Sequence, residues 1–373
     1  MEIQLDFLNW LDPDMSIKIL MCLEDPSDIV RASCVSRQWR NFVIMNGLSK
    51  QLCLRMFPQL TRVDHVIESS CNMKKPVDVG SSKSMEWETS LREHRVYSFL
   101  ARGFTSFAVR DCNRKGICAS STDNYPAESI HNTLEPRDRI DRRASYWSSK
   151  GQSNPQVPET LVYKLTGDLC AITEINIQPF QAYFQPGLPI YSAKSVRFQL
   201  GHKKSPVDPA DDKFVWTYTS QEFPMAQENR LQTFKLPEPL LCIGGFLRIE
   251  LLGRVQRQEM DGLFYICVSH VQVMGRSLSP AFNVEILEPS EGFVLKALSY
   301  TQTSLPEDEP RAIFNPYLER RATDLEIVNL LRVGAAVLEE IVAGEVDDEV
   351  EGDDDDDAVY EDDDEFDGEF DYI

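Results

Sequence analysis

The chain has no run approaching the ~20 apolar residues that would span a bilayer, and no basic start followed by an apolar stretch of the secretory type. A soluble, non-secreted chain is therefore expected, in the nucleus or cytoplasm and with no membrane partner. Cys-x-x-Cys is absent and the nine cysteines are scattered, so neither a zinc framework nor a disulfide lattice is predicted. Reduced thiols, several of them buried, are expected instead. Histidine is scarce: His65, His94, His131, His202 and His270 are all there is, and none has a neighbour that suggests a triad. His-Glu-x-x-His, Gly-x-Ser-x-Gly and phosphate-loop patterns are missing, and the aspartate run 353–357 lacks the central glycine of a calcium loop. These gaps predict no catalysis, no metal and no cofactor. Basic patches interleaved with aromatics are also missing, which argues against nucleic acid.

Lysine and arginine are absent from one whole segment. Residues 345–373 hold 18 acids and no base, so the formal charge of −22 belongs mostly to this tail, and the remainder, with 38 basic and 42 acidic groups, carries only −4. Such a run repels itself and buries no core, which predicts a disordered acidic tail. Its plain role is to keep the chain in solution; Phe366, Phe370 and Tyr372 among the acids leave a short interaction motif open. The length of 373 residues leaves room for two or three domains.

What is present begins at residues 11–43. Asp12 suits an N-cap and Pro13 the first helical position, where a missing N–H costs nothing. Ile17, Leu20 and Leu23 then form an apolar stripe, with Ile19 beside it. The segment 24–27 breaks this helix, Ser27 caps a second with Ile29, Ala32 and Val35 inward, and Ser36 opens a third on which Trp39, Phe42 and Val43 share a face. Three helices this short bury too little to be robust alone. The leftover apolar residues Phe7, Leu8, Leu11, Met15 and Ile19 therefore suggest a partner surface.

The run Leu11-Asp12-x-Asp14, Ile19-Leu20-x-x-Leu23, Asp28-Ile29-x-Arg31-x-Ser33-x-Val35-Ser36-x-x-Trp39-Arg40 resembles the F-box, the adaptor-binding module of Skp–cullin–F-box (SCF) ubiquitin ligases, and the whole has the flavour of plant F-box proteins. Where many F-boxes have Leu-Pro, this chain has Leu11-Asp12 with the proline at Pro13, which implies altered contacts where the helix begins. The resemblance implies a Skp-type adaptor held by Leu11, Asp12, Pro13, Ile19, Leu20, Leu23, Val35 and Trp39, and through it cullin and RING subunits.

After the F-box, a helix over 48–57, a linker over 63–84 and a bracket helix capped by Ser84 and carrying Trp87, Leu91, His94 and Leu100 are predicted, with His94 read as a packed side chain. From 104 the pattern turns all-β. Alternating or β-branched segments lie at 104–109, 159–165, 171–177, 193–200, 214–218, 231–236, 246–252 and 265–273, separated by turn chemistry at 113–116, 185–187, 201–202, 237–239 and 244–245. Two packed antiparallel sheets in a jelly roll are expected. The order of 118–121, 127–130, 145–149, 161–165 and 172–175, closed by 247–253 and 264–271, resembles a discoidin-like, galactose-binding-like sandwich. Its relatives include lectins and a substrate-recognition subunit of the anaphase-promoting complex, and their loops at one end hold the ligand.

The fold class expected is thus α+β and multidomain. It comprises the F-box (1–57), a linker and bracket helix (58–103), the sandwich (104–278), an extension with an amphipathic helix (279–344) and the acidic tail. That last helix has a capping box, Thr323 with Glu326, a stripe of Leu325, Val328, Leu331, Ala335, Leu338 and Val342, and Gly344 at its end. Substrate-binding candidates are Arg142, Arg143, Tyr146, Trp147, Arg254 and Arg257, with Arg139, Gln256, Glu259, Phe180, Tyr183 and Phe184 nearby; arginines with aromatics suit an anionic or aromatic peptide. Solvated surface fits the arginines equally well, and for Trp147, just before a strand, a core position is the stronger reading. The function expected is substrate recognition for an SCF-type ligase acting on a protein substrate, modified or glycosylated, without catalysis of its own. A lectin-like or peptide-binding F-box module outside a ligase is the alternative.

Overall fold

The computed structural model describes residues 6–69, 82–136, 144–204, 213–287 and 292–300. The predicted C-terminal helix, the acidic tail and the arginines 139, 142 and 143 lie outside the described residues. Within them, the N-terminal helices begin as their caps dictate. The Asp12 carboxylate accepts from the Met15 N–H at 3.0 Å and Pro13 opens α1 (Pro13–Leu20). Helix α2 (Pro26–Ser33) repeats the device two residues ahead of the expected Ser27: Asp25 is the cap, accepting from the Ser27 N–H at 2.8 Å, and Pro26 is the first helical residue. Ser36 caps α3 (Arg37–Met45) through the Trp39 N–H. Gly47, at φ 58°, makes the left-handed turn into α4 (Leu48–Met56) that a side chain would strain. Leu20, Ile29, Ala32, Val43, Leu48 and Leu52 form the small core of these four helices.

The chain continues through β1 (Val63–Glu68) and α5 (Ser82–Ser106) into a β-rich region. Its strands are β2 (Arg110–Asp111), β3 (Asn113–Ala119), β4 (Trp147–Ser148), β5 (Glu159–Leu165), β6 (Leu169–Gln181), β7 (Ile190–Tyr191) and β8 (Ala193–Lys203). They are followed by β9 (Phe214–Thr219), β10 (Phe223–Pro224), β11 (Gln232–Ile243), β12 (Phe246–Arg254), β13 (Cys267–Ser277), β14 (Phe282–Leu287) and β15 (Gly292–Ala297). Two antiparallel sheets, β10-β8-β12-β5-β3 with β9 on β8, and β11-β6-β13-β2 with β4 on β13 and β7 on β6, make the jelly-roll sandwich. Their inner faces meet in one core that includes Trp147, Tyr163, Ile175, Phe198, Ile249 and Val271.

Five expectations give way here. The expected turn at 201–202 lies inside β8, where Gly201 pairs with Phe246 and sits so close to β9 that a side chain there would strike the Val215 carbonyl. Ser84, the expected cap of the bracket helix, falls inside α5, which begins at Ser82. Residues 104–106 end a helix instead of starting a strand, because Tyr97, Leu100, Ala101 and Phe104 continue one helical face into the interior, with Phe104 4.2 Å from the Phe57 ring. The expected turn at 113–116 is part of β3, whose register on β5 shifts between Asn113 and Lys115 and again between Gly116 and Cys118. The expected turn at 237–239 is an irregularity inside β11, where pairing to β6 skips from Lys235 to Leu240. Since β11 is an edge strand, its two prolines are tolerated.

A second core joins the parts. The bracket helix α5 sends Val96, Tyr97, Leu100 and Phe104 against Cys53 and Phe57 on one side, and Leu169, Ala171, Leu241 and Ile243 from the outer face of the β6–β11 pair on the other. A three-stranded sheet closes it: β1, from the segment expected as linker, runs parallel to β15, and β14 pairs antiparallel beyond. Segments before and after the sandwich thus share one sheet. Arg95 clasps Glu68 (Nε to Oε1 2.9 Å), and the Ser49 hydroxyl bonds His94 Nδ1 at 3.0 Å, so His94 is a packed joint residue. The four-helix module is therefore fixed to the sandwich by packing on both faces of α5.

Candidate functional site

Two surfaces stand out, one on each part. On the helical module, the apolar side chains that the core leaves out are exposed: Trp10, Leu11, Met15, Ile19 at 41 % and Val35 at 62 %. Met15 and Ile19, four residues apart, share one face of α1. Val35, expected inward, lies outside because α2 ends at Ser33 and Val35 belongs to the turn before Ser36. Asp12 and Pro13 are exposed at the helix start. The other three adaptor candidates are structural: Leu20 is buried, Leu23 is half-buried against the same core, and Trp39 sets its ring edge-on to Phe7 at 5.0 Å while its Nε1 donates to Asp6 at 3.0 Å. These three shape the surface from beneath. A cluster of solvated apolar side chains of this kind marks a docking face.

On the sandwich, the loops that follow β3, β6 and β12 converge at one end. They enclose a cleft of about 170 Å³. One wall is Tyr146 stacked on Phe180, centroids 3.8 Å apart and planes 17° apart, with Phe184 6.3 Å beyond Phe180. Opposite kinds of contact build the rest: Tyr191 stands edge-on to Tyr265 at 6.3 Å, the Tyr191 hydroxyl donates to Gln185, and that of Tyr265 donates to Asp261. Asp123 and Glu128 also line the cleft, and the Tyr146 hydroxyl donates to Glu128 Oε1 at 2.9 Å. Burial first, and then the Glu128 charge, pushes the Tyr146 hydroxyl well above its usual range. The Cys267 thiol in the cleft is pushed up to about 12, mainly by burial, with Glu128 and Asp123 adding. The carboxylates among the lining residues, Asp123 and Glu128, give the cleft an acidic character.

That sign reverses the expectation of a basic site. Arg254 is 1 % exposed and fully engaged: it pairs with the buried Glu159 and donates to Ser149 Oγ and to the carbonyls of Lys150, Val157 and Phe264. Trp147 is wholly buried, its Nε1 donating to the Ser121 carbonyl at 3.1 Å. Both hold the sandwich together and neither reaches a ligand. Arg257 is exposed, with Nε donating to the Gly262 carbonyl at 2.6 Å within its own loop. Tyr183 accepts from Asn229 and is not among the cleft's lining residues. Of the expected set, Tyr146, Phe180 and Phe184 come together as cleft walls. Asp123, Glu128, Tyr191 and Tyr265 were not foreseen, because they sit in three separated segments, the loop after β3, strand β7 and the segment before β13, with no local spacing to relate them.

Residues 13–55 match the F-box-like family model. An F-box protein of Arabidopsis thaliana is 57 % identical over 320 residues, covering 82 % of this chain and 85 % of that one. The chain is an F-box protein. Its F-box covers helices α1 to α4 almost end to end, and an adaptor role of the general F-box kind goes with the family. Solved structures similar to the chain cover about half of it or less. A family 32 carbohydrate-binding module from C. perfringens, solved with galactose, is 14 % identical and covers 42 % of this chain and 90 % of that one at a TM-score of 0.27. An allantoicase from Saccharomyces cerevisiae is 11 % identical and covers 50 % and 54 % at 0.34.

Proposed function

We propose that this F-box protein is the substrate receptor of an SCF-type ubiquitin ligase, working in the nucleus or cytoplasm. The observation that carries the reading is the solvated apolar face of Leu11, Met15, Ile19 and Val35 on a module whose opposite side is locked into the second core. A Skp-type adaptor covers that face and links the chain to cullin and RING subunits. The sandwich end with the aromatic cleft holds a protein substrate. Strand β6 is the ruler between the two: Leu169 packs in the joint and Phe180 in the cleft wall, eleven residues on, or about 35 Å at ~3.3 Å per residue. The receptor performs no bond chemistry; it raises the rate of ubiquitin transfer by holding a lysine-bearing substrate near the loaded conjugating enzyme.

Affinity capture of the full chain tests this. Adaptor and cullin are expected with wild type and not with Ile19→Asp plus Val35→Asp, two exposed positions whose change leaves the core intact. Equal capture by both, or no adaptor with either, would sink the ligase reading and favour a binding module acting outside a ligase.

A further inference from the structure

We infer that the cleft at the end of the sandwich takes a cationic side chain, lysine or arginine, projecting from a substrate peptide. The inference rests on the substrate-receptor reading above and names what that receptor reads.

The composition of the cleft carries the argument. Aromatic rings from separate segments, Tyr146, Phe180, Phe184, Tyr191 and Tyr265, surround a volume of about 170 Å³, below the ~300–1,000 Å³ of ordinary small-molecule pockets and suited to one side chain. The faces of aromatic rings are negative and attract cations, most strongly where water is excluded. Two carboxylates, Asp123 and Glu128, add formal charge to those walls. Neither is neutralised: among the described residues no lysine, arginine or histidine pairs with either one. Of the candidate arginines that are described, Arg254 is engaged by Glu159 and surrounding carbonyls, and Arg257 donates to the Gly262 carbonyl. Among the described residues no lysine or arginine lines the cleft.

The negative charge is felt by the walls. Besides Tyr146, the Tyr265 hydroxyl is held above its usual range by burial and by Asp261 and Asp123, and the Cys267 thiol by burial with Glu128 and Asp123. A lysine or arginine entering the cleft would pack its stem against the rings that line it and give Asp123 and Glu128 the charged donors they lack. An acidic peptide meets the opposite conditions. A neutral sugar stacks on the rings but leaves both carboxylates uncompensated.

Direct binding decides it. The purified full chain, held on its adaptor, is titrated by fluorescence anisotropy with labelled nonapeptides of randomised flanks whose centre is lysine, trimethyllysine, arginine, acetyllysine or norleucine, and with galactose as competitor. Lysine- or arginine-centred peptides are expected to bind at least tenfold more tightly than the norleucine and acetyllysine versions. That preference is expected to weaken with added salt and to disappear in Asp123→Asn plus Glu128→Gln, shape-conserving changes checked by an unfolding midpoint equal to wild type. A norleucine peptide that binds as well as the lysine one, displacement of peptide by galactose, or no binding by any peptide would overturn the inference. Adaptor capture, measured in the same preparation, separates the two readings: capture without cationic preference removes only this inference, whereas absent capture removes the receptor reading itself.

Discussion

The F-box helices and the sandwich solve opposite problems. Among the described residues the F-box has a core of six buried apolar residues and leaves seven large ones exposed, so it borrows stability from α5 on one side and offers an unfinished apolar face on the other. The sandwich closes its core on itself, carries even a buried arginine–glutamate pair in its interior, and confines exposed function to a rim of loops. In the first, the residues proposed to bind are those a small fold has no room to bury. In the second, they are those a large fold can hold in place without using them.

The comparison can be broken most forcefully at Arg254. Arg254→Ala leaves the buried Glu159 carboxylate without its cation, and a loss of about 3–5 kcal/mol in unfolding free energy is expected, read by urea denaturation; Glu159→Gln added to it should recover part of the loss. A change under 1 kcal/mol would mean the sandwich interior is not as closed as described. Leu100→Ala, a fully buried position in the joint, is expected to cost about 2–5 kcal/mol and to lower the melting of F-box and sandwich together. Separate transitions, followed by hydrogen exchange, would contradict a shared second core. Asp12→Ala removes one cap from α1 and should cost about 1 kcal/mol, weakening adaptor capture modestly with no effect on the sandwich.

The smallest effect is expected from pH at the joint. Burial, with Arg40 and Arg95 close by, holds the His94 imidazole below its ordinary 6.5. A base held low binds fewer protons folded than unfolded, so its contribution is whole above pH 6.5 and is lost as the pH falls through that value toward the depressed folded one. The denaturation midpoint should therefore drop on going from about pH 7 to pH 5.5 by more in wild type than in His94→Gln. Equal slopes would show that His94 is not the titrating group.

The F-box was largely legible because its helices are local objects. Caps and periodicity lie within a few residues of one another, as with Asp12-Pro13 and Ser36, and the one displaced cap, at Asp25, is the same Asp-Pro pair read two residues late. Strands with clean alternation, such as 159–165 and 246–252, were legible for the same reason. The 104–106 segment was not, since a short apolar run serves helix or strand equally and only Phe57 across the core decides. Strand β1 was hidden too, its partner β15 lying more than 220 residues on.

The candidate sites divide in the same way. Sequence spacing determined the F-box, its helix starts and the set of apolar residues from which its docking face is drawn, because a helix turns spacing into a face. It also determined that the second half is a β-sandwich. Only tertiary structure decided that Leu20 and Trp39 support the docking face while Ile19 and Val35 present it, that Arg254 and Trp147 belong to the interior, and that a cleft walled by Tyr146, Phe180, Tyr191 and Tyr265 carries the negative charge of Asp123 and Glu128. The reason is physical: burial and potential depend on what segments distant in the chain bring to one place, and no local pattern encodes that meeting.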